Sequence, residues 1–366
     1  MSGSKIKIPK AVVQKYLNAK EGKGVRILEY KRLGSGWHGS GYVVKFKIQK
    51  SKGKSQVREV VLRTLMPENF SHDFISDRAK VFILQNEMSK AIPGHIGSFD
   101  VSGYSKNGDL VSLGDVKEYF QIVEFAHGDT YSKDFQRIKE TGSISDMDRQ
   151  RARSLAIYLA SLHSRKLKAT KGSIRSIRRR HTRDAIGHGE MMIGVVDTYP
   201  DGFTYTTKAK LARFMARALE FREKVKDTPF KPCRIHGDFH PANIVFNGSR
   251  VTVLDASREL WGDPADDVIA LAMNYIWFAV MQTGKFSGPF SELFWIFWNT
   301  YFKKTRDINI MKTAGVHMAF RGVVVAHPFF YSAQSDDVRR KMLRLVEKVL
   351  GKSRFDPKKI DRYLRK

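Results

Sequence analysis

Residues 234–246 read RIHGDFHPANIVF. The polar block 237–243 is framed by Ile235 on one side and Ile244, Val245 and Phe246 on the other. Such framing predicts a short loop between two strands. Asp238 and Asn243 stand five residues apart in it, and a strand at 251–254 (VTVL) then delivers Asp255 at its end. One base, one amide and one carboxylate on two adjacent turns are the set that phosphoryl transfer needs. Asp238 would take the proton of an attacking hydroxyl, and Asn243 and Asp255 would hold a cation that bridges phosphates. His236 and His240, at i and i+4, could ligate zinc instead. That requires a helix, which Gly237 and Pro241 disfavour.

A second phosphate-type signal lies upstream. Gly34-Ser35-Gly36-Trp37-His38-Gly39 fits G-x-G-x-x-G. In a dinucleotide-binding fold a helix follows such glycines. Here an alternating stretch follows, 42–48 (YVVKFKI), so the pattern predicts a strand–glycine loop–strand hairpin whose backbone N–H groups can approach phosphates. A glycine-rich hairpin without a ligand is the plainer alternative.

The elements that must position these groups fall into two parts. Strands at 25–33, 42–48 and 57–65 form a meander, with SKGKS at 51–55 as a turn. A helix is expected at 77–90, with Ala79, Phe82, Ile83 and Met88 on one face, ended by Pro93 and Gly94. A further strand is expected at 118–125 (EYFQIVEF), running into a break at 126–128. Beyond it the pattern turns helical. The stretch 148–163 is amphipathic, with Leu155, Leu159 and Leu162 on one face. Residues 165–183 hold nine Lys or Arg. A helix is expected at 208–226, and the apolar runs 268–281 and 290–302 read as buried helices too short to span a bilayer.

The chain has 366 residues, 42% hydrophobic and 28% charged, a globular composition with room for a large core. A single cysteine, Cys233, excludes a disulfide framework and fits a reducing, cytoplasmic compartment. The N-terminus lacks the apolar core of a secretory signal. Lys and Arg number 65 against 37 Asp and Glu, a formal charge of +28. Such a charge attracts polyanions, nucleic acid among them, although it is spread along the chain as on a solvated lysine-rich surface.

The string HGDFHPAN, followed by Asp255 and by GDPADD at 262–267, resembles the aminoglycoside phosphotransferase and choline kinase superfamily. Matching features run from Gly34 to Asp267. The resemblance implies an α+β, two-lobed protein-kinase-like fold, with a β-rich N-lobe over residues 1–125, a hinge at 126–128 and a helical C-lobe over 129–366. It implies ATP and Mg²⁺ as cofactors, with Asp238 the catalytic base and Asn243 and Asp255 the metal ligands. Gly34, Gly36 and Gly39 would cradle the nucleotide, and Glu124 and Ala126 would meet adenine through their backbone. Arg63 stands where a kinase presents its phosphate-binding lysine; arginine can keep that role because it binds phosphate as a fork. Its partner acid is expected at Asp77, or else at Glu87. Asp267 would brace the catalytic loop, and His236 would support it. His163 reads as a packing histidine. Two departures stand out: Arg63 for lysine, and Ala256 and Ser257 where many relatives carry an aromatic residue and an acid.

Only six residues separate Asp255 from Gly262. A protein kinase needs a longer segment there to seat a peptide, so a small-molecule hydroxyl acceptor is expected. An atypical protein kinase and a catalytically weak, RNA- or polyanion-binding scaffold are the alternatives. The superfamily builds its acceptor pocket from the region at 164–207. If they line that pocket, its arginines suit an anionic acceptor, with Asp184 and His188 as further candidate contacts; a solvated basic helix is the alternative.

Overall fold

The fold is described from a computed structural model, which describes residues 8–22, 24–35, 39–49, 54–67, 72–89, 91–114, 116, 118, 119, 121–256 and 258–365. By contacts the chain divides into two units, Met1–Val123 and Glu124–Lys366.

In the first unit, alternation sets the architecture. β1 (Val25–Ser35), β2 (Gly39–Gln49) and β3 (Ser55–Leu65) pair antiparallel in sequence order. The meander thus forms where the period-2 pattern predicts it. Val25 and Ile27 on β1 and Val44, Phe46 and Ile48 on β2 are buried on one face. A helix that the periodicity did not predict, α1 (Lys10–Glu21), covers that face with Val13 and Leu17. Its Gln14 accepts from the Ile27 N–H (3.0 Å) and donates to the Val25 carbonyl (2.7 Å), which ties the helix to the strand. Helix α2 (Ile75–Ser89) follows, then a hairpin of β4 (Ser102–Tyr104) and β5 (Leu110–Ser112).

The strand expected at 118–125 does not form. Glu118, Tyr119 and residues 121–125 lie outside helix and strand. Ile122 is 98% exposed and Phe125 81%, so the alternation there meets no packing surface. A β-like pattern becomes a strand only against a partner.

The second unit is helical around a large apolar core. α3 (Tyr131–Thr141) and α4 (Asp146–Ser164) come first, with a reciprocal Ser145–Asp148 cap starting α4. α5 (Lys171–Gly187), α6 (Met192–Asp197) and α7 (Lys208–Val225) precede the catalytic-loop string. After it come α8 (Ala265–Thr283), α9 (Pro289–Thr305), α10 (Ile310–Val325), α11 (Asp336–Leu350) and α12 (Ile360–Leu364). The runs expected as buried helices are α8 and α9, and α8 is buried almost all round. Two small sheets interrupt the helices. β6 (Asp129–Thr130), β8 (Ile244–Asn247) and β9 (Arg250–Val253) form one; β7 (Cys233–Arg234) and β10 (Trp261–Gly262) form the other. Cys233 is buried, its Sγ 3.8 Å from the Gly262 carbonyl oxygen, and burial pushes its thiol pKa up. Among the described residues no helix is long and apolar enough to cross a membrane.

Candidate active site

The loop between β7 and β8 is fixed from below by α8. The first turn of α8 carries Asp266 and Asp267, where a helix N-terminus favours negative charge. Asp267 is fully buried and accepts two backbone N–H groups, His236 to Oδ2 (2.8 Å) and Gly237 to Oδ1 (2.7 Å). His163 Nε2 lies 3.1 Å from the same carboxylate, and its Nδ1 lies 2.7 Å from the Tyr301 hydroxyl. A neutral His163 that donates from Nε2 and accepts from Tyr301 satisfies both contacts. Gly237 has φ +84°, and a Cβ there would come within 2.9 Å of Arg258, so the sharp turn into Asp238 requires glycine.

Within the loop, the Asp238 N–H donates to His236 Nδ1 (3.2 Å). Asn243 Nδ2 donates to the Asp238 carbonyl (3.1 Å) and lies 3.4 Å from Asp238 Oδ2. Phe239 is buried and stacks on Tyr158. The backbone of the loop is therefore held at both ends while the Asp238 carboxylate faces a pocket.

That carboxylate sits among cations. Arg321 Nη1 lies 2.7 Å and Arg258 Nη2 3.7 Å from Oδ1, and His240 Nε2 lies 3.6 Å from Oδ2. Burial alone would raise its pKa; the His240 hydrogen bond and the charges of Arg321, His240 and Arg258 outweigh it and hold the carboxyl well below the usual range. Asp238 is thus ionised at any working pH.

Behind Arg321 lies a second buried layer. Its Nη2 is 3.9 Å from Asp266 Oδ1, which His317 Nδ1 approaches at 3.5 Å. His181 spans Glu259 and Asp266, each at 3.5 Å. Burial would lower the His181 pKa, but Glu259, Asp266 and Asp263 raise it to about 9. Atoms of His181, Asp266 and His317 lie within 4.8 Å of one another, close enough to share a cation. When protonated, His181 bridges Glu259 and Asp266 as an ion pair with each.

The pocket that Asp238 faces has a volume of about 350 Å³. Its walls include Glu190, His240, Arg258, Phe320, Arg321 and Tyr331, and Gly189 and Gly194 also line it. A Cβ on Gly194 would meet the Gly189 backbone, so these two glycines close one wall by direct backbone contact. A larger hollow of about 450 Å³, lined by Lys348, Lys352, Arg354, Lys359 and Arg362 among others, contains no residue of the catalytic loop.

The cation implied for this site fits the residues present. Asn243 uses only Nδ2 in its hydrogen bonds, which leaves Oδ1 as an oxygen donor. Its carbonyl accepts from the Leu254 N–H (2.9 Å), so the ends of β8 and β9 bring Asn243 and Asp255 to the same turn. Asp255 is exposed at φ +54°, and among the described residues no hydrogen bond or ion pair engages its carboxylate. An amide oxygen beside a carboxylate is a hard-oxygen pair of the kind Mg²⁺ takes.

Other expected site residues lie elsewhere. Gly34 and Gly39 belong to β1 and β2, while Gly36 falls outside the described residues. Arg63 is exposed on β3, opposite Gly41, and its Nη1 lies 3.5 Å from Gln85 Oε1 on α2. Asp77 accepts the Phe74 N–H at the start of α2 (2.8 Å). Glu87, also on α2, is exposed. Glu124 is exposed and Ala126 half-buried.

Residues 189–198 of the basic segment do reach the pocket, but its arginines are engaged away from it. Arg175 and Arg179 pair with Asp227, Arg178 with Asp263, and Arg180 with Glu259. Asp184 pairs with Arg183 (2.7 Å), and His188 Nδ1 accepts the Glu190 N–H (3.2 Å). Arg258 and Arg321 were not anticipated. A lone arginine in the apolar run of α10, MAFRGVVV, was the signal that could have found Arg321.

Residues 112–285 match the phosphotransferase enzyme family. No curated protein matches the chain. Among solved structures, a thermostable mutant of aminoglycoside phosphotransferase APH(4)-Ia with AMP-PNP and hygromycin B shares 14% identity, covers 93% of this chain and 98% of its own, and has a TM-score of 0.38. Amicoumacin kinase hAmiN with AMP-PNP, Ca²⁺ and Ami shares 14% identity over 95% of each chain, with a TM-score of 0.41. Glucosamine kinase with glucosamine, ADP and inorganic phosphate shares 16% identity over 60% of this chain and 57% of its own, with a TM-score of 0.34. The family match contains the whole catalytic loop, Asp255 and Asp267, though not the glycine loop of the first unit.

Proposed function

We propose that the protein transfers the γ-phosphate of ATP to a hydroxyl of a small molecule, with Asp238 as base and Asn243 and Asp255 as the Mg²⁺ ligands. The observation that carries this reading is the setting of Asp238. The turn that leads into it is pinned through Asp267, and its ionised carboxylate faces a pocket of small-molecule size. Mg²⁺, when bound, would neutralise charge on the nucleotide phosphates.

The remaining work falls to the chain. Asp238 Oδ1 is held by Arg321, which leaves Oδ2 as the better-placed oxygen for an incoming hydroxyl. A carboxylate with so low a pKa is a weak base. Its main contribution is therefore to orient the acceptor oxygen in line and to receive the proton late, which suits a loose phosphoryl transfer.

The test is Mg²⁺-dependent ADP release from ATP with a panel of hydroxyl acceptors, comparing wild type with Asp238→Asn. Acceptor-stimulated release that the variant loses supports the reading. Equal release by both proteins removes Asp238 as the base.

A further inference from the structure

We propose that the acceptor is a small hydroxy anion, carrying a carboxylate or a phosphate beside its reactive hydroxyl, and that Arg258 and Arg321 seat that anionic group. This rests on the phosphotransfer reading and narrows it to a substrate class.

Two guanidinium groups stand side by side on the pocket wall. Both lie over the ring of Phe320, Arg258 at 4.9 Å and Arg321 at 4.7 Å from its centroid. Both also turn toward the same oxygen, Oδ1 of Asp238. Their side chains are only 16% and 7% exposed. Nevertheless Arg258 Nε, Arg321 Nε and Arg321 Nη2 are buried without a hydrogen-bond partner among the described residues, as are the Asp238 Oδ1 and Asp266 oxygens that they approach only as ion pairs. Buried donors of this kind are rarely left unmatched unless a bound group completes them.

The charge balance points the same way. Burial, and then the charge of Arg321, pushes the Arg258 pKa down despite the attraction of Asp266, Asp238 and Glu190. An arriving anion would relieve that repulsion. Arginine forks match the planar oxygens of a carboxylate and the oxygens of a phosphate. A cationic acceptor would meet two guanidiniums at Asp238. Glu190, the other pocket acid, is exposed. The volume of about 350 Å³ lies near the lower end for ligand pockets, which favours a compact skeleton over a multi-ring one.

The reaction balances without a further reagent. The acceptor O–H bond breaks and its proton passes to Asp238. The acceptor oxygen bonds to the γ-phosphorus, and the bond from that phosphorus to the β,γ-bridging oxygen breaks to release ADP.

The test uses matched acceptors that differ in charge: glycerate and glycerol 3-phosphate, glycerol, and serinol; then glucose 6-phosphate, glucose and glucosamine. ADP release and thermal shift are read for wild type, Arg258→Gln and Arg258→Lys. We expect an anionic member of a set to be turned over with the lowest KM. Arg258→Gln should raise that KM ~10- to 100-fold, the range for losing a charge-assisted contact. Arg258→Lys should lie between. Glycerate against glycerol 3-phosphate separates a carboxylate from a phosphate.

Equal or better turnover of neutral or cationic members, unaffected by Arg258→Gln, overturns the inference and leaves phosphotransfer standing. If no acceptor is turned over, thermal stabilisation by the anionic members that Arg258→Gln abolishes supports the inference, and its absence overturns it. Failure of Mg²⁺-ATP to shift the melting of the wild type, or undiminished turnover by Asp238→Asn, counts instead against the phosphotransfer reading.

Discussion

The sheet β1–β2–β3 and the loop 235–243 both carry groups proposed for phosphate chemistry, yet they are held in opposite ways. Arg63 projects from an exposed strand position, with a single long contact to Gln85. Beneath the sheet a modest cluster of apolar residues closes against α1. Asp238 belongs to a loop whose N–H groups are accepted by the buried Asp267 of α8, itself met by His163 of α4, and whose carboxylate is engaged by Arg321 of α10. The difference teaches where precision is stored. A group that only attracts phosphate can sit on a forgiving surface, because Coulomb attraction falls off gently with distance. A group that must line up an attacking oxygen needs a support that leaves it no choice of position.

Replacing the loop's own chemistry should have the largest effect. Asp238→Asn is expected to lower kcat ~10²- to 10⁴-fold, the usual worth of a positioned base, in the ADP-release assay. Next comes the support. Asp267→Ala strands two backbone N–H groups and His163 in the interior, so urea unfolding should show a loss of ~3–5 kcal/mol, the range for removing one partner of a buried charged set. A loss below ~1 kcal/mol would show that the loop is held by something other than Asp267.

Acidity offers a sharper probe of the same support. The His181 pKa is raised in the folded state, from an ordinary 6.5 to about 9. Its contribution is therefore fully present below pH 6.5 and is lost as pH rises through 9. Below that window the protonated histidine contributes ~3 kcal/mol to folding. Melting of the wild type should fall over the same range, and His181→Gln should flatten the fall. A curve of the same slope in both proteins would place the titration elsewhere. The smallest effect belongs to the sheet. Arg63→Ala should change stability by no more than ~0.5 kcal/mol, as surface substitutions do. Any consequence should appear in the KM for ATP. A large stability loss on this substitution would erase the contrast between the two regions.

Much of the catalytic loop was legible in the sequence because its signals are local. HGDFHPAN places its polar residues within eight positions, and the apolar frame on either side fixes the turn between β7 and β8. The meander was legible for the same reason: alternation at 42–48 needs only its neighbours. The bracing carboxylate Asp267 was expected from the resemblance, but the arginine pair at Asp238 was not. Arg258 and Arg321 approach one oxygen across 63 positions of chain, and no short-range pattern marks such a meeting. For the basic segment the sequence left open a pocket wall or a solvated surface, and the outcome is divided. Its arginines looked ready for an anion, but Asp227, Asp263 and Glu259, remote in sequence, already neutralise them. EYFQIVEF failed as a strand because alternation predicts a face and cannot supply the surface that the face must meet.

Cys233 gives the experimenter a clock. It is the single thiol of the chain, it is buried, and β7 carries it directly into the catalytic loop. A protonated, enclosed thiol reacts slowly with maleimide or disulfide reagents. Labelling must therefore wait for the β7–β10 pairing to open. Its rate would time the opening events at the base of the active site, in the native protein and with no introduced probe.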